Sequence, residues 1–336
     1  MGTRGYHSYR GRGSTGKKVL AIVLGVILVA AGAFLLLQNR YVVYDENGNA
    51  HWELPFGKNK DDGAAPMPDD VVIVREEPQR PQLTELHAQL LPENALRRDA
   101  QTVLSQHPDA LVIDVKLRDG TVTYQTSVDG GQYVTVGDAS SLENLRTLLQ
   151  SDRWTVARIS ALADHAYAKA RRDETALRRE DGGLWYDYDS MCWLDPNKPE
   201  TQQYLADLCA ECASLGFDEI LLDQFTYPTV GRLDRLQTGD VEKTAVLAAL
   251  TVRLREAIPK TTALSIELHS DPVADTDKSG LTLELVTGSF DRIYLDTADL
   301  PLATLQGELP ADYDQTVRFV PLVKQAAASG SYLQTN

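Results

Sequence analysis

The sequence predicts an α/β fold that closes on itself, and three observations carry that expectation. From Leu86 onward, short apolar segments alternate with amphipathic ones, the signature of parallel strands joined by helices. The strand-like segments number eight in a stretch of about 250 residues, the count and size of a (β/α)8 TIM barrel. Polar and apolar residues also alternate within the strands, whereas an open sheet covered on both faces reads as near-continuous apolar runs.

Strands are expected near residues 86–91, 110–116, 155–161, 218–223, 263–268, 291–296, 317–322 and 330–334. Residues i and i+2 of a strand share a face. Val112, Asp114 and Lys116 therefore lie opposite Leu111, Ile113 and Val115. Ser265, Glu267 and His269 lie opposite Leu264, Ile266 and Leu268, and Arg292, Tyr294 and Asp296 opposite Ile293 and Leu295. Val156, Arg158 and Ser160 lie opposite Ala157 and Ile159. The apolar parity should face the helices and the polar parity the barrel interior. The clearest helices fall at 94–106, 140–150, 199–215 and 240–257, the third stopped by Gly216. The strand after it ends on Asp223, and barrels present catalytic groups from the carboxyl ends of their strands. For a lone strand-end Asp, capping of the next turn is the competing reading.

Ahead of the barrel (residues 83–336) the sequence divides into a basic tail (1–18), an apolar span (19–37) and a flexible stalk (38–82). The 19 residues 19–37 carry no charge, long enough to cross a bilayer core as a single transmembrane helix. Ala31-Gly32-Ala33 could mimic a signal cleavage site, but cleaved signals usually have a shorter apolar region of about 7–15 residues. An uncleaved anchor is the preferred reading. The tail holds Arg4, Arg10, Arg12, Lys17 and Lys18 and no acid, which predicts a cytoplasmic N-terminus and an extracellular barrel at the cell membrane. Residues 45–70 are rich in Asp, Asn, Gly and Pro, the composition of a solvated linker.

The tail's +5 leaves −20 on the rest of a chain whose net charge is −15. So acidic a body excludes nucleic acid as a partner, where a basic footprint is required. Cys192, Cys209 and Cys212 make no disulfide framework, and the Cys209–Cys212 pair falls mid-helix, so packed thiols are expected. The histidines show no HxH or HExxH spacing, and there is no Gly-rich phosphate loop in the barrel and no GxSxG elbow. No metal and no cofactor is expected.

In a closed barrel Asp114, Lys116, Arg158, Asp223, Glu267 and Asp296 converge on one pocket, with His269 at a strand end near Glu267. Carboxylates among cations have their pKa values pushed apart, which suits general acid/base work. Glycoside hydrolysis is the common chemistry that needs two such carboxylates facing a polar polymer. A buried salt-bridge network filling the barrel is the alternative. Trp185, Tyr186, Tyr188 and Trp193 crowd the segment 182–196 over the rim, where rigid aromatics suit stacking on sugar rings. Packing of the loop onto the barrel is the alternative for the tryptophans, and the preferred one for Trp193.

Several stretches together carry a family resemblance. They are Val112-Ile113-Asp114-Val115-Lys116, Asp119-Gly120, Val122-Thr123-Tyr124, Ala157-Arg158-Ile159, Gly183-Leu184-Trp185, Trp193-Leu194-Asp195-Pro196, and Leu215-Gly216-Phe217-Asp218-Glu219-Ile220 with Asp223 and Tyr227-Pro228. In order and spacing, residues 86–334 resemble a glycoside hydrolase-like family of TIM barrels related to the α-amylase superfamily, long catalogued as a domain of unknown function. The chain departs from the family pattern at Gln224 and Thr226, carries Glu267 where the family usually has Asp, and has Tyr294-Leu295-Asp296 on its sixth strand. The resemblance implies Asp223 as nucleophile and Glu267 as acid/base; Asp114, Lys116, Arg158, Trp185, Asp296 and His269, placed around them by the strand and loop reading, are expected to contact substrate. Together with the apolar span, this leads to the expectation of a membrane-anchored hydrolase of a cell-envelope or environmental polysaccharide. A non-catalytic barrel that binds glycan or partners at the cell surface is the alternative.

Overall fold

The computed structural model describes residues 42–44, 50–52, 81–107, 109–129, 137–296, 300, 305 and 307–335. The chain falls into two units, Met1–Val74 and Arg75–Asn336. In the first, β1 (Val42–Tyr44) pairs antiparallel with β2 (Ala50–Trp52), so the span read as a stalk contains a short ribbon. The expected tail 1–18 and apolar span 19–37 lie outside the described residues, as does most of the stalk. Among the described residues no helix is long and apolar enough to cross a membrane.

The second unit holds a closed barrel of parallel strands in chain order: β3 (His87–Leu90), β4 (Ala110–Lys116), β5 (Thr155–Ser160), β7 (Glu219–Asp223), β9 (Ala263–Leu268), β10 (Ile293–Asp296), β11 (Phe319–Val323) and β12 (Tyr332–Gln334). β12 returns to pair with β3. The two-residue strands β6 (Arg178–Arg179) and β8 (Leu236–Gln237) pair antiparallel and tie the loop after β5 to the loop after β7.

Each expected strand is present within two residues of its predicted ends. The helix Pro199–Leu215 starts on proline and stops at Gly216, whose φ of 109° is a left-handed conformation that glycine adopts without steric cost. The stretch expected as one helix over 94–106 is broken into a 3-10 turn, Ala95–Arg97, and a helix, Ala100–Gln106. The break falls where Asp99 accepts a bond from Thr102 N at 2.8 Å and starts the helix afresh. Short helices at His165–Ala170, Thr276–Ser279, Leu283–Ser289 and Gln315–Arg318 were not foreseen.

The parity reading holds. Ala88, Val112, Val156, Leu221, Tyr294, Val320 and Leu333 pack together inside the barrel. Ile113, Ala157, Ile159, Ile220, Leu222, Leu264, Ile266 and Leu295 join the larger core outside it. The amino-terminal end of the barrel is plugged by an ion pair, Arg292 Nη1 to Glu219 Oε2 at 2.6 Å, with both side chains buried. Tyr294 Oη donates to Glu219 Oε1 at 3.0 Å and Trp154 Nε1 to Oε2 at 2.9 Å. Buried charge of this kind is tolerated only when its hydrogen bonds are filled, and here they are. The salt-bridge filling weighed as an alternative thus exists, at the closed end of the barrel.

Candidate active site

At the opposite, carboxyl-terminal end, the inward parity delivers Asp114 from β4, Arg158 from β5, Asp223 from β7 and Glu267 from β9, with His269 just past that strand. The register sets them in two steps: Asp114 pairs with Arg158, while Asp223 pairs with Ser160, two residues further along β5. Arg158 is the hub. Its Nε lies 2.7 Å from Glu267 Oε2, its Nη2 2.9 Å from Glu267 Oε1 and 3.2 Å from Asp223 Oδ2, and its Nη1 3.0 Å from Asp114 Oδ1. His269 Nε2 lies 2.5 Å from Asp223 Oδ1 and 3.6 Å from Glu267 Oε1.

These contacts separate the acids. Burial alone would raise Asp223, but the Arg158 guanidinium and the His269 bond outweigh it and hold the carboxyl down at about 2. An ionised carboxylate only accepts, so His269 Nε2 carries the hydrogen between them. Glu267 moves the other way, raised by burial and by the Asp223 charge against the pull of Arg158. Burial also raises Asp114, opposed by Arg158. His269 would be lowered by burial, yet its bond to Asp223 raises it. Oxygens of Asp223 and Glu267 and a ring nitrogen of His269 lie within 4.8 Å of one another, a spacing that could hold a metal ion. Arg158 already sets a positive charge against both carboxylates, so a cation there would meet Coulomb repulsion. The set fits the guanidinium rather than a metal.

Over this cluster opens a cavity of about 520 Å3, lined by Asp114, Lys116, Arg158, Asp223 and His269 together with Glu93, Leu117, Arg118, Asp119 and Gln224 from the loops. Its size is within the range of small-ligand sites. Gln224 has a φ of 53°, a left-handed conformation uncommon outside glycine and concentrated at functional sites. Glu267 is buried in the grip of Arg158 and lies outside the lining.

Lys116 joins the lining of this cavity as expected, although the pairing of β4 with β5 slips between Asp114 and Lys116, as at a bulge. Its Nζ meets Asp164 Oδ2 at 3.0 Å with both side chains fully buried, so its charge is already paired. Other expected site residues go elsewhere. Trp185 is buried, donates from Nε1 to Arg232 O at 3.0 Å, and packs against Gly231. It pins the loop and offers no stacking face, which corrects its expected role. Trp193 also packs, its Nε1 on Asp187 Oδ2 at 2.9 Å. The exposed aromatics of this loop are Tyr186 and Tyr188. Asp296 is half-buried at the end of β10, outside the cavity lining, which draws on β4, β5, β7 and the segment after β9. Thr226 is buried, with Oγ1 donating to backbone oxygens of Tyr227 and Ser279 at 2.9 and 3.1 Å, so this departure from the family pattern does not touch the cavity.

Four residues of the neighbourhood escaped sequence reasoning. Asp164 caps the helix His165–Ala170 through Tyr167 N while pairing with Lys116. Asp187 gathers bonds from Arg118, Trp193 and the backbone of Asp189 and Met191. Arg118 and Glu93 come from loops, where no periodicity marks them. The three cysteines are buried free thiols, as expected, with burial pushing Cys209 up to about 12.

The fold is similar to that of a hypothetical protein from Ruminiclostridium thermocellum, with a TM-score of 0.46 at 23% identity over 53% of this chain and 96% of that one. An α-galactosidase from Thermus thermophilus aligns with a TM-score of 0.41 at 18% identity, over 64% of this chain and 42% of that one. The spore cortex-lytic enzyme SleL of Bacillus cereus aligns with a TM-score of 0.41 at 11% identity, over 73% of this chain and 51% of that one. The chain therefore spans about half the length of these two enzymes. No curated protein matches the sequence. Residues 88–281, more than half of the chain and running from β3 past β9 to beyond His269, match the family described as "Putative glycosyl hydrolase domain", and the chain belongs to that family.

Proposed function

We propose that this protein is a glycoside hydrolase anchored in the cell membrane and acting outside it on a polysaccharide of the envelope or the surroundings. The observation that carries the reading is the split between two neighbouring carboxylates, Asp223 held down at about 2 and Glu267 raised. Such a split marks an ionised nucleophile beside a protonated acid. Asp223 would attack the anomeric carbon while Glu267 gives its proton to the departing glycosidic oxygen. Once neutral for that role, Glu267 holds Arg158 less tightly, because the charge-assisted part of the fork is gone. Water, deprotonated by Glu267, would then release the sugar from the Asp223 ester. Retaining enzymes hold their carboxyl groups about 5–5.5 Å apart and inverting ones about 6.5–9.5 Å; Asp223 and Glu267 stand at the ends of the adjacent strands β7 and β9 and meet the same Arg158 Nη2, which favours the shorter separation of the retaining route. Asp114 would orient sugar hydroxyls, and His269 would hold Asp223 in place.

The charges narrow the substrate. Arg158 is paired with Asp114, Asp223 and Glu267, Arg118 with Asp187 and Asp189, and Lys116 with Asp164. With the cations around Asp223 already committed, a neutral or amino-sugar unit suits that position better than a uronate. A second reading, a barrel that binds glycan without cleaving it, draws on the position of Glu267 outside the cavity lining.

The anchor is proposed from the uncharged span 19–37 with its five-cation flank, the stalk from 38–82 and the barrel from 83–336. Protease added to intact cells should remove the barrel and spare the tail. For the activity, the full chain in detergent is incubated with purified cell-wall glycans and with neutral and amino-sugar polymers, and new reducing ends are counted. Release by the wild type that disappears in Asp223→Asn supports the hydrolase. Binding without release supports the second reading.

A further inference from the structure

The catalytic cavity does not end at its own wall. A second cavity of about 260 Å3 is lined by Asn94, Leu96, Arg97, Thr121 and Thr123 and shares Glu93, Leu117 and Asp119 with the first. The two form one groove running from Asp223 over the loops that follow β3 and β4. We infer that this outer compartment is a second sugar subsite, so that the enzyme grips at least one unit beside the one at Asp223 and acts on chains rather than on single sugars. The inference rests on the glycoside hydrolase reading.

The chemistry of the lining fits a pyranose. Glu93, Asn94 and Arg97 are exposed, and they supply a carboxylate, an amide and a guanidinium. These planar groups respectively accept, do both and donate, the set needed for neighbouring hydroxyls that are donor and acceptor at once. Asn94 stands at the start of the 3-10 turn Ala95–Arg97, yet its side chain caps no backbone group. Leu117, half-buried, supplies apolar surface for the C–H face of a ring. The compartment alone is smaller than a typical drug-sized site of ~300–1,000 Å3, which suits one sugar unit.

The wall is also rigid, which lowers the ordering cost of binding. Leu117 N bonds Thr121 O at 2.9 Å, Gly120 N bonds Leu117 O at 3.0 Å, and Asp119 Oδ1 accepts from Thr121 N at 2.8 Å. Gly120 has a φ of 92°, and a Cβ there would stand 2.3 Å from Asp164 Oδ1. This turn is thus seated directly on Asp164, the partner of Lys116. Lys116 lines the first cavity and holds Asp164 beneath this turn.

The test measures binding in the full chain carrying Asp223→Asn, so that no probe is consumed. Hexamers of cellulose, maltose, chitin and chitosan are titrated by calorimetry beside their monosaccharides. At least one hexamer should bind ten-fold or more tightly than its monosaccharide. Adding Asn94→Ala with Arg97→Ala, which line only the outer compartment, should remove that gain and leave the monosaccharide affinity unchanged. Equal affinity of monomer and hexamer overturns the subsite, as does a gain that survives the substitutions or an absence of binding by every probe. Hydrolysis by the wild type without a length gain overturns the subsite alone. A length gain that the substitutions abolish, without hydrolysis by the wild type, supports the subsite and overturns only the catalytic reading.

Discussion

Arg158 holds Glu267 with a two-pronged contact, Nε to Oε2 at 2.7 Å and Nη2 to Oε1 at 2.9 Å, while the same Nη2 reaches Asp223 at 3.2 Å. One planar cation thereby balances the two acids proposed for catalysis, and a third through Asp114 at 3.0 Å. Arg158→Met leaves these buried acids without their shared counter-charge, and removing one partner from a buried pair costs about 3–5 kcal/mol. The loss should be greatest at pH 7 and smaller at pH 4.5, where the orphaned carboxyls take up protons. Urea unfolding at the two pH values checks this; equal deficits would contradict it.

Asp223 links the site to the pH dependence of stability. Its folded value of about 2 lies below the ordinary 3.8, so its contribution is complete above pH 3.8 and is lost as the pH falls through 2. Nearly two units correspond to about 2 kcal/mol. Glu267 and Asp114 are raised, in part by the Asp223 charge that Asp223→Asn lacks, and act in the opposite sense, costing stability as they ionise and relieving it on acidification. Between pH 5 and pH 2 the wild type should lose up to about 2 kcal/mol more than Asp223→Asn. Parallel curves would show that Asp223 is not held ionised.

The Glu219–Arg292 pair closes the other end of the barrel and touches none of the site. Glu219→Ala should cost about 3–5 kcal/mol by stranding a buried guanidinium. The double variant with Arg292→Met should recover part of that loss, a coupling that a double-mutant cycle reads directly. Turnover per folded molecule should stay at the wild-type level in both.

Trp185 and Tyr188 should separate packing from binding. Trp185→Ala empties a buried site and should destabilise by about 3–5 kcal/mol. Tyr188 is 76% exposed; Tyr188→Ala should move stability by no more than about 0.5 kcal/mol and weaken glycan binding several-fold. An unchanged affinity would remove Tyr188 from the substrate path.

The barrel was legible because alternation is a local property. Asp114, Arg158, Asp223 and Glu267 could be assigned to the interior from the residues beside them, and the cluster they form follows from closure. Lys116 was placed at the cavity by the same alternation, but its pairing with Asp164 was not legible, because that partner comes from a loop distant in sequence. Trp185 was misread because an aromatic in a long loop looks the same in sequence whether it stacks on a ligand or on Gly231. The loops hid the most. Glu93 and Arg118 reach the cavity through turns whose course is set by long-range contacts such as Arg118 with Asp187. The end of β10 likewise gave no sign that the cavity opens on the far side of β9.

The account stands most directly on Asp223 as the group that bonds to sugar. An activated 2-deoxy-2-fluoro glycoside of whichever sugar the hydrolysis screen identifies, incubated with the full chain, should trap the intermediate. Mass spectrometry should then find one added glycosyl unit per chain, mapped to the peptide containing Asp223 and missing from Asp223→Asn. A glycosyl unit on another residue, or turnover with inverted anomeric product and no adduct, would contradict it.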